Sequence, residues 1–331
     1  MRGRVLITGA SGFIGYHLIE EAEKAGLEVH AAVRPSSDVS HLAPLRPVFV
    51  YPDYRSTEAL TSFLEAGQYQ YIIHSAGATR AKDSNAYNLI NAEYTRRLAE
   101  AASQTNQPLE RFVFVSSLAA LGPLSYAEKQ PITENTPPMP VTDYGKSKLL
   151  AEQYLAEIKG LRTSIIRPTA VYGPREKDLF ILFKTLNSGI DAYIGRGAQR
   201  FSFVYVKDLA DATVKAVLQK STANHTFNVS DGGAYNRYEL AEIFSEWSGK
   251  KPVRIHIPVG LMSVVATTLE AGYTFSKNVP VVNREKLKEL TAQNWFCSID
   301  AAQSQLDYRP KYDLKKGVFE TLDWYRQNKW L

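Results

Sequence analysis

A tyrosine and a lysine stand four positions apart in the segment DYGKSK, as Tyr144 and Lys148. On a helix, residues four apart share one face, so the two side chains can act together. A tyrosine phenol, with a usual pKa of about 10, is a poor base at neutral pH unless a nearby cation favours its phenolate. Such a pair suits acid–base chemistry at a carbonyl or an alcohol, where a proton accompanies a hydride.

The elements that must position this pair are visible in the first half of the chain, where short apolar runs alternate with helical patterns. Such runs favour buried parallel strands that are covered by helices on both faces. We therefore predict an α/β fold with a doubly wound parallel sheet. The predicted strands are 4–8, 28–33, 47–51, 71–75, 111–117 and 163–168.

Two serines at the end of the fifth predicted strand are candidates for holding a substrate oxygen. Ser116 and Ser117 close the run RFVFVSS, at the sheet edge where open parallel sheets bind ligands. Alternate residues of a strand face opposite sides, so only one of them should point into the site. The tyrosine helix follows and is predicted to end at Gly160. Its apolar stripe consists of Leu150, Tyr154 and Ile158.

The segment VLITGASGFIG places three glycines three positions apart, directly after the first strand and at the start of a helix that should end near Gly26. A dinucleotide pyrophosphate requires a tight turn, close approach of backbone N–H groups and a helix N-terminus that faces the anion. The spacing G-x-x-G-x-x-G becomes specific through its position between strand and helix. The predicted cofactor contacts here are Gly9, Ser11, Gly12, Phe13, Ile14 and Gly15.

Arg34, at the end of the second predicted strand, bears on the choice between NAD and NADP. An acid at this place usually binds the ribose 2′-hydroxyl of NAD, whereas a basic residue accommodates the 2′-phosphate of NADP. Together with the two serines that follow, Arg34 predicts NADP, while Asp38 keeps NAD open. After the third strand, Asp53 is a candidate for bonding the adenine amine, and Tyr54 is a further predicted cofactor contact.

The segments TGASGFIG, VSSLAALG, YGKSK and RPTAVYGP resemble, in order and spacing, the motifs of the extended short-chain dehydrogenase/reductases, also called the NAD-dependent epimerase/dehydratase family. The likeness extends over nearly the whole chain. It implies a Rossmann domain with a smaller C-terminal substrate lobe, Ser117 as the hydroxyl that orients the substrate, Tyr144 as the acid/base and Lys148 as its partner. The predicted cofactor contacts also include Ala76, Gly77, Asn91, Ser116, Tyr144, Lys148, Pro168, Thr169 and Val171.

The regular alternation of strands and helices weakens after residue 167. We predict an NAD(P)-binding domain over 1–167, to which segments near 200–229 return, and a mainly substrate-binding lobe over 168–331. The single cysteine, Cys297, and six scattered histidines offer no zinc spacing, so no metal is predicted.

Two positions bear on the branch of the family. Its nucleotide-sugar enzymes typically carry an asparagine after the sixth strand and an arginine before the strand that here reads FVYVKD. The aligned residues are Thr169 and Phe201. A diphosphate requires fixed cations or N–H donors, which weakens the sugar-nucleotide hypothesis. A one-residue bulge would restore Arg200 to the arginine position.

The C-terminal region looks more like the branch with the 3β-hydroxysteroid dehydrogenases and dihydroflavonol reductases. Within 261–269 an apolar helical face has two interpretations, core packing of the lobe or a hydrophobic, membrane-facing lip for a lipidic substrate. The run is too short to span a bilayer. Tyr273 and Phe275 add aromatic lining. The apolar face consists of Leu261, Val264, Val265 and Leu269.

These observations predict an NADP-preferring oxidoreductase that interconverts a ketone and a secondary alcohol on a hydrophobic, sterol-like or long-chain lipid substrate. One alternative is a nucleotide-sugar epimerase or dehydratase that recycles its NAD(P). Another is a non-catalytic, NAD(P)-sensing binding protein, although a sensor has no need of the Ser, Tyr and Lys.

The charge distribution and the N-terminus suggest where the protein acts. Lys and Arg exceed Asp and Glu by 39 to 34, but the surplus is dispersed, so no nucleic-acid partner is predicted. The positive bias leaves peripheral contact with an anionic membrane open. The chain runs directly into its first strand without a signal peptide, so we expect a cytoplasmic protein. The family resemblance suggests a homodimer.

Overall fold

The computed structural model describes residues 3–107, 109–273 and 284–331, so that Phe275 lies outside the described residues. Its central feature is a seven-stranded sheet in which every neighbouring pair is parallel. The strands are β1 (Arg4–Thr8), β2 (Glu28–Ala32), β3 (Val48–Val50), β4 (Tyr71–His74), β5 (Arg111–Val115), β6 (Thr163–Pro168) and β11 (His225–Val229).

The order across the sheet is β3-β2-β1-β4-β5-β6-β11. The chain therefore adds β2 and β3 on one side of β1, then crosses back and adds β4, β5, β6 and β11 on the other side. This reversal opens a crevice at the carboxyl ends of β1 and β4, the place where such sheets bind ligands. The predicted doubly wound α/β fold is confirmed. All six predicted strands are present, and the seventh, β11, comes from a region in which the sequence pattern was mixed.

Helices cover both faces of the sheet, because its central strands β1, β4 and β5 are buried on both sides and have to be shielded from water. The helices of these two layers are α1 (Phe13–Lys24), α2 (Thr57–Gly67), α3 (Ser84–Asn88), α4 (Tyr94–Gln104), α5 (Asp143–Glu157) and α7 (Val206–Val217). On one face α1 packs beside α7, and on the other α2, α4 and α5 pack side by side.

The helix α5 differs slightly from its predicted course. It ends at Glu157 because Ile158 adopts an extended conformation, before Gly160 takes a positive φ of 79°. The predicted stripe of Leu150, Tyr154 and Ile158 is only partly buried and packs beside the core between α5 and the sheet. The fully buried face carries Ser147, Lys148, Ala151, Glu152 and Leu155.

The remaining elements surround a separate aromatic core that includes Phe183, Phe203 and Tyr325. Residues 170–172, predicted to lie in a loop, form a short strand because they pair in parallel with 203–205. The strands are β7 (Ala170–Tyr172), β8 (Ile190–Ile194), β9 (Arg200–Phe201), β10 (Phe203–Tyr205), β12 (Tyr235–Asn236) and β13 (Val253–Ile257). The helices are α6 (Asp178–Asn187), α8 (Glu239–Ser248), α9 (Val259–Gly272), α10 (Arg284–Thr291), α11 (Asp300–Leu306) and α12 (Leu314–Gln327).

The apolar face of α9 is not part of a core. Leu261 and Val264 are 56% and 63% exposed, and Val265 and Leu269 are each 37% exposed. The core-packing interpretation of this helix is therefore wrong. Across the described residues, no helix is both long and apolar enough to span a bilayer. The division at residue 167 stays a prediction.

Candidate active site

The glycine loop between β1 and α1 leaves no room for side chains. Gly9 has a φ of +69°, and a Cβ on it would lie 2.7 Å from the Ser75 carbonyl oxygen. A Cβ on Gly15 would lie 2.3 Å from the Gly9 carbonyl oxygen. Gly12 forms the N-cap of α1 and is exposed, so the first N–H groups of the helix are accessible to an anion. This backbone cradle fits a dinucleotide pyrophosphate. The neighbouring Ser11, Phe13 and Ile14 are partly buried.

The turn after β4 forms the opposite wall of the crevice. The Ala76 N–H donates to the Thr8 hydroxyl at 3.1 Å, which ties this turn to the end of β1. A Cβ on Gly77 would lie 3.3 Å from the Lys148 amine nitrogen. The predicted contacts Ala76 and Gly77 therefore lie between the glycine loop and Lys148.

Asn91 connects this turn to the tyrosine helix. It lies in a π-helical turn, Leu89–Glu93, just before α4. Its side-chain oxygen accepts from the Ala78 N–H at 2.7 Å, and its amide donates to the Ser147 hydroxyl at 2.9 Å. Ser147 in turn donates to the Tyr144 carbonyl at 2.7 Å. The buried Asn91 thus holds two walls of the site at a fixed separation.

A buried histidine beneath the turn was not singled out from the sequence. The His74 ring bonds Thr8 at 2.7 Å through Nδ1 and Thr95 at 2.9 Å through Nε2. Burial lowers the pKa of His74 to about 3, with a smaller contribution from the positive charge of Lys148. A neutral imidazole between two hydroxyls fixes the end of β4 and is not an acid–base group at physiological pH.

The helix α5 approaches the end of β5 so closely that only glycine fits at position 145. A Cβ on Gly145 would lie 2.3 Å from the Ala119 carbonyl oxygen. The Thr142 hydroxyl caps the helix by accepting from the Gly145 N–H at 3.1 Å. This approach brings Tyr144 beside Ser117, whose hydroxyl lowers the pKa of Tyr144, although a larger effect of burial raises that pKa to about 12. The phenol is therefore protonated at neutral pH.

The Lys148 amine is buried above β5. It donates to the Val115 carbonyl at 2.9 Å and lies 4.7 Å from the centre of the Phe114 ring. Burial lowers the pKa of Lys148 to about 8, and the negative charge of Glu152 opposes this effect. The expected stabilisation of the Tyr144 phenolate by this cation does not prevail in the structure, because burial is the largest influence on the phenol.

The two serines after β5 face different partners. The Ser116 hydroxyl donates to Glu152 Oε1 at 2.5 Å, and Glu152 Oε2 pairs with Arg167 Nη2 at 2.6 Å. Ser117 faces Tyr144, so the alternation of side chains along the strand places only Ser117 beside the phenol. Glu152 and Arg167 were missed in the sequence, although Glu152 stands four residues after Lys148 and hence on the same helix face.

Arg34 and Asp38, after β2, are solvent-exposed, whereas Asp53 and Tyr54, after β3, are partly buried. Arg34 makes no side-chain hydrogen bond or ion pair with any described residue, and its carbonyl accepts from the Ser37 N–H at 2.9 Å. The Asp38 carboxylate accepts from the Ser40 N–H at 2.9 Å. Asp53 pairs with Arg55 at 2.7 Å, which lowers its pKa to about 2. Tyr54 packs with its ring 6.5 Å from that of His74, under the crevice.

Of the predicted cofactor contacts after β6, Thr169 lies beside β11 and Val171 lies in β7. Pro168 ends β6, and the Thr169 N–H donates to the Val229 carbonyl at 3.1 Å. Val171 lies in β7 and is partly buried. Further along, Phe201 packs 6.2 Å from Phe203, ring centre to ring centre.

The side chain of Arg200 contacts the 126–128 segment. Its guanidinium lies 5.3 Å from the Tyr126 ring centre, and Nη1 is 3.5 Å from the Glu128 carbonyl oxygen. A cation near the predicted arginine position is therefore present, but it is already in contact with the 126–128 segment.

One helix of the C-terminal region also reaches the site, which no sequence pattern indicated. In α10, Glu285 accepts from the Asp143 N–H at 2.5 Å, and the charge of Glu289 raises the pKa of Tyr144 slightly. The Tyr87 ring packs edge-on to Tyr144 at 6.2 Å. Among the described residues, no group of three His, Cys, Asp or Glu could hold a metal.

Comparisons with known proteins agree with this geometry. A ceramide reductase of Caulobacter vibrioides is 26% identical over 100% of this chain and 96% of its own length. A decarboxylating sterol-4-alpha-carboxylate 3-dehydrogenase of Candida albicans is 26% identical and is covered over 98% of both chains. The Thermus thermophilus UDP-glucose 4-epimerase in complex with NAD superimposes with a TM-score of 0.78 at 24% identity, covering 98% of this chain and 99% of the epimerase.

The similarity to the epimerase structure shows only the fold, whereas the match to a family model shows the family. It matches residues 5–230, which include the glycine loop, both serines, Tyr144, Lys148 and β11. The chain is an enzyme of the extended short-chain dehydrogenase/reductase type and belongs to the NAD-dependent epimerase/dehydratase family.

Proposed function

We propose that this protein is an NADP-preferring oxidoreductase that interconverts a ketone and a secondary alcohol on a hydrophobic substrate. The observation that carries this proposal is geometric: Tyr144 lies beside the Ser117 hydroxyl, and Lys148, on the same helix, reaches the Gly77 turn across from the glycine loop. A phenol that keeps its proton at neutral pH is a general acid, which is the group that carbonyl reduction requires.

The residues of the site divide the chemistry among themselves. A nicotinamide cofactor, when bound, would supply the hydride for carbonyl reduction. Ser117 donates a hydrogen bond to the carbonyl oxygen and orients it, and Tyr144 transfers its proton to that oxygen, so that the ketone becomes a secondary alcohol. The phenolate left on Tyr144 recovers a proton from solvent. Lys148, beside the Gly77 turn, would hold the cofactor ribose and stabilise this transient phenolate.

The preference for NADP rests on the turn after β2. Arg34 is exposed and unpaired among the described residues, so its guanidinium is available to a 2′-phosphate. Asp38, the residue that would favour NAD, directs its carboxylate to the Ser40 N–H. A carboxylate engaged in this way is less available to a ribose hydroxyl.

The hydrophobic substrate class is supported by the surroundings of Phe201 and by two relatives. Phe201 packs among aromatic rings, and Arg200, the nearby cation, contacts Tyr126 and a carbonyl group. An unpaired diphosphate in such surroundings would lose its hydration without full compensation. The names of the Caulobacter and Candida relatives denote lipid-like substrates, a ceramide and a sterol.

The test uses purified protein and follows nicotinamide absorbance with NADPH or NADH and a panel of sterol-like and long-chain ketones. We expect consumption of NADPH with at least one ketone and a lower kcat/KM with NADH. The Tyr144→Phe variant is the control for a background reaction. UDP- and dTDP-sugars are added in a parallel arm.

Two results would contradict the proposal in different ways. Epimerised sugar nucleotide, without net NADPH consumption on any ketone, would establish the nucleotide-sugar epimerase instead. Tight cofactor binding with no turnover in either arm would favour the NAD(P)-sensing protein.

A further inference from the structure

The two parallel strands β8 and β13 present one face that is wholly apolar. Their register pairs Ile190 with Val253 and Ile194 with Ile257, so alternate residues of both strands lie on the same side. The opposite side carries the Arg254–Asp191 ion pair at 2.9 Å. The apolar side consists of Ile190, Ala192, Ile194, Val253, Ile255 and Ile257.

Parallel strands are normally covered on both faces, yet this apolar face is open to solvent. Val253 is 68% exposed, Ile190 43% and Ile255 41%. A side chain that large and that exposed is unremarkable when it stands alone. Three on one sheet face, next to one another, form a continuous hydrophobic area.

The helix α9 extends this area. It begins at Val259, whose side chain lies against Gly195 at the end of β8, and it exposes Leu261 and Val264. Of the seventeen large apolar side chains that are exposed in the described residues, eight fall within 253–273. Within the part of the chain that the structure describes, the exposed hydrophobic surface is therefore concentrated here. We call Ile190, Val253, Ile255, Val259, Leu261 and Val264 the apolar patch.

Basic side chains stand at both ends of the apolar patch. Lys250 and Lys251 precede β13, and Lys250 is fixed beside the start of β8 by a hydrogen bond to the Asn187 carbonyl at 3.0 Å. Arg196 follows β8 at the other end and is exposed.

The acids of the same two segments are already neutralised. The acidic residues of segments 189–197 and 250–272 are Asp191 and Glu270. Asp191 pairs with Arg254, and Glu270 pairs with Arg284 at 2.6 Å. In these two segments Arg196, Lys250, Lys251 and Arg254 outnumber Asp191 and Glu270, so the segments that carry the apolar patch have a net positive charge.

We propose that the apolar patch docks on an anionic membrane surface, with Ile190, Val253 and the exposed side of α9 in the acyl–headgroup boundary and Arg196, Lys250 and Lys251 on the lipid phosphates. Apolar side chains with flanking basic residues are the combination that binds such surfaces. A second copy of this chain would bring like charges together around the patch, which disfavours self-association as the occupant. The proposal does not depend on the substrate, because docking requires no turnover.

The apolar patch is connected to the active site through α9 and α10. The helix α9 contacts α10, and in α10 Glu285 accepts from the Asp143 N–H while the charge of Glu289 acts on Tyr144. Docking would therefore bring the C-terminal side of the active site close to the bilayer.

The experiment is co-sedimentation of the purified full-length chain with vesicles of phosphatidylcholine alone or of phosphatidylcholine with phosphatidylglycerol. We expect binding to the anionic vesicles that weakens as salt rises, and weak binding to phosphatidylcholine. Lys251→Gln and Arg196→Gln should each weaken binding roughly fivefold. The double variant Val253→Ser/Val264→Ser should weaken it about tenfold. Val48→Ser, at a 50% exposed valine on β3, is the matched control and should leave binding unchanged.

Three results would overturn the proposal. The first is the absence of sedimentation with anionic vesicles at low salt. The second is equal loss of binding in Val48→Ser and in the patch variant. The third is a dimer in light scattering that the patch variant converts to a monomer, which would make a second copy the occupant. Because none of these measurements uses a substrate, their outcome is independent of the outcome of the ketone assay.

Discussion

The buried Lys148 should make the folded protein less stable at neutral pH than it would be without that charge. The residue is 4% exposed, and burial lowers the pKa of its amine from 10.5 to about 8. We expect the variant Lys148→Met to lose activity and yet to be more stable than the wild-type protein at pH 7. The gain should disappear as the pH rises.

The size of the effect follows from the difference in pKa between the folded and unfolded states. Below pH 8 the amine is charged in both states, and the folded state bears a cost of about 3 kcal/mol. Removing the amine leaves the Val115 carbonyl without this partner, which costs about 1 to 3 kcal/mol, so the net gain at pH 7 is about 1 kcal/mol. Between pH 8 and 10.5 the unfolded chain binds more protons than the folded one, so wild-type stability rises by about 1.4 kcal/mol per pH unit. Between pH 7 and pH 9.5 the difference should thus move by about 2 kcal/mol in favour of the wild-type protein, so that the gain of about 1 kcal/mol becomes a loss of about 1 kcal/mol.

The assay is urea unfolding of both proteins without cofactor, followed by tryptophan fluorescence at several pH values. Lys146→Met, at a lysine whose side chain is 58% exposed and pairs with Asp143, is the control and should change the free energy of unfolding by less than about 0.5 kcal/mol. A difference between Lys148→Met and wild type that stays constant from pH 7 to pH 9.5 would refute the reasoning, because the pKa of the amine would then be the same in both states.

Three further predictions concern cofactor and catalysis. Tyr144→Phe should lower kcat by about 10² to 10⁴ through loss of the transferable proton, with a cofactor Kd within about twofold of wild type in a fluorescence titration; full activity at pH 7 would remove Tyr144 from the mechanism. Arg34→Ala should raise the Kd for NADPH about 10- to 150-fold and leave that for NADH nearly unchanged, and equal losses for both would show that Arg34 does not contact the phosphate. Gly15→Ala should abolish cofactor binding, because its Cβ would lie 2.3 Å from the Gly9 carbonyl oxygen; calorimetry that finds normal affinity would contradict the cradle.

The sequence alone predicted the features that depend on near neighbours along the chain. Apolar runs mark the strands because each central strand is buried on both faces, and all six predicted runs are strands. The glycine loop was recognisable because no Cβ can be accommodated at Gly9 or Gly15. The positions of Tyr144 and Lys148 on one helix face follow from the period of the helix.

The choice between alternatives required contacts between distant segments. Ser116 and Ser117 have different roles because the Ser116 hydroxyl donates to Glu152, which lies thirty-six residues further along the chain. Arg200 is directed by contacts with the 126–128 segment, and α10 reaches the site from more than a hundred residues away. No local pattern carries this information.

The protonation states at the site were decided by the tertiary structure as well. The helix spacing suggested that Lys148 would lower the pKa of Tyr144, but burial raises that pKa to about 12 and lowers that of Lys148 to about 8. The exposure of α9 was settled in the same way, since its apolar periodicity is equally compatible with a core and with an open surface. Residue types and spacings along a chain determine which groups can meet on one element, whereas burial and charge at a site depend on which other elements pack over it.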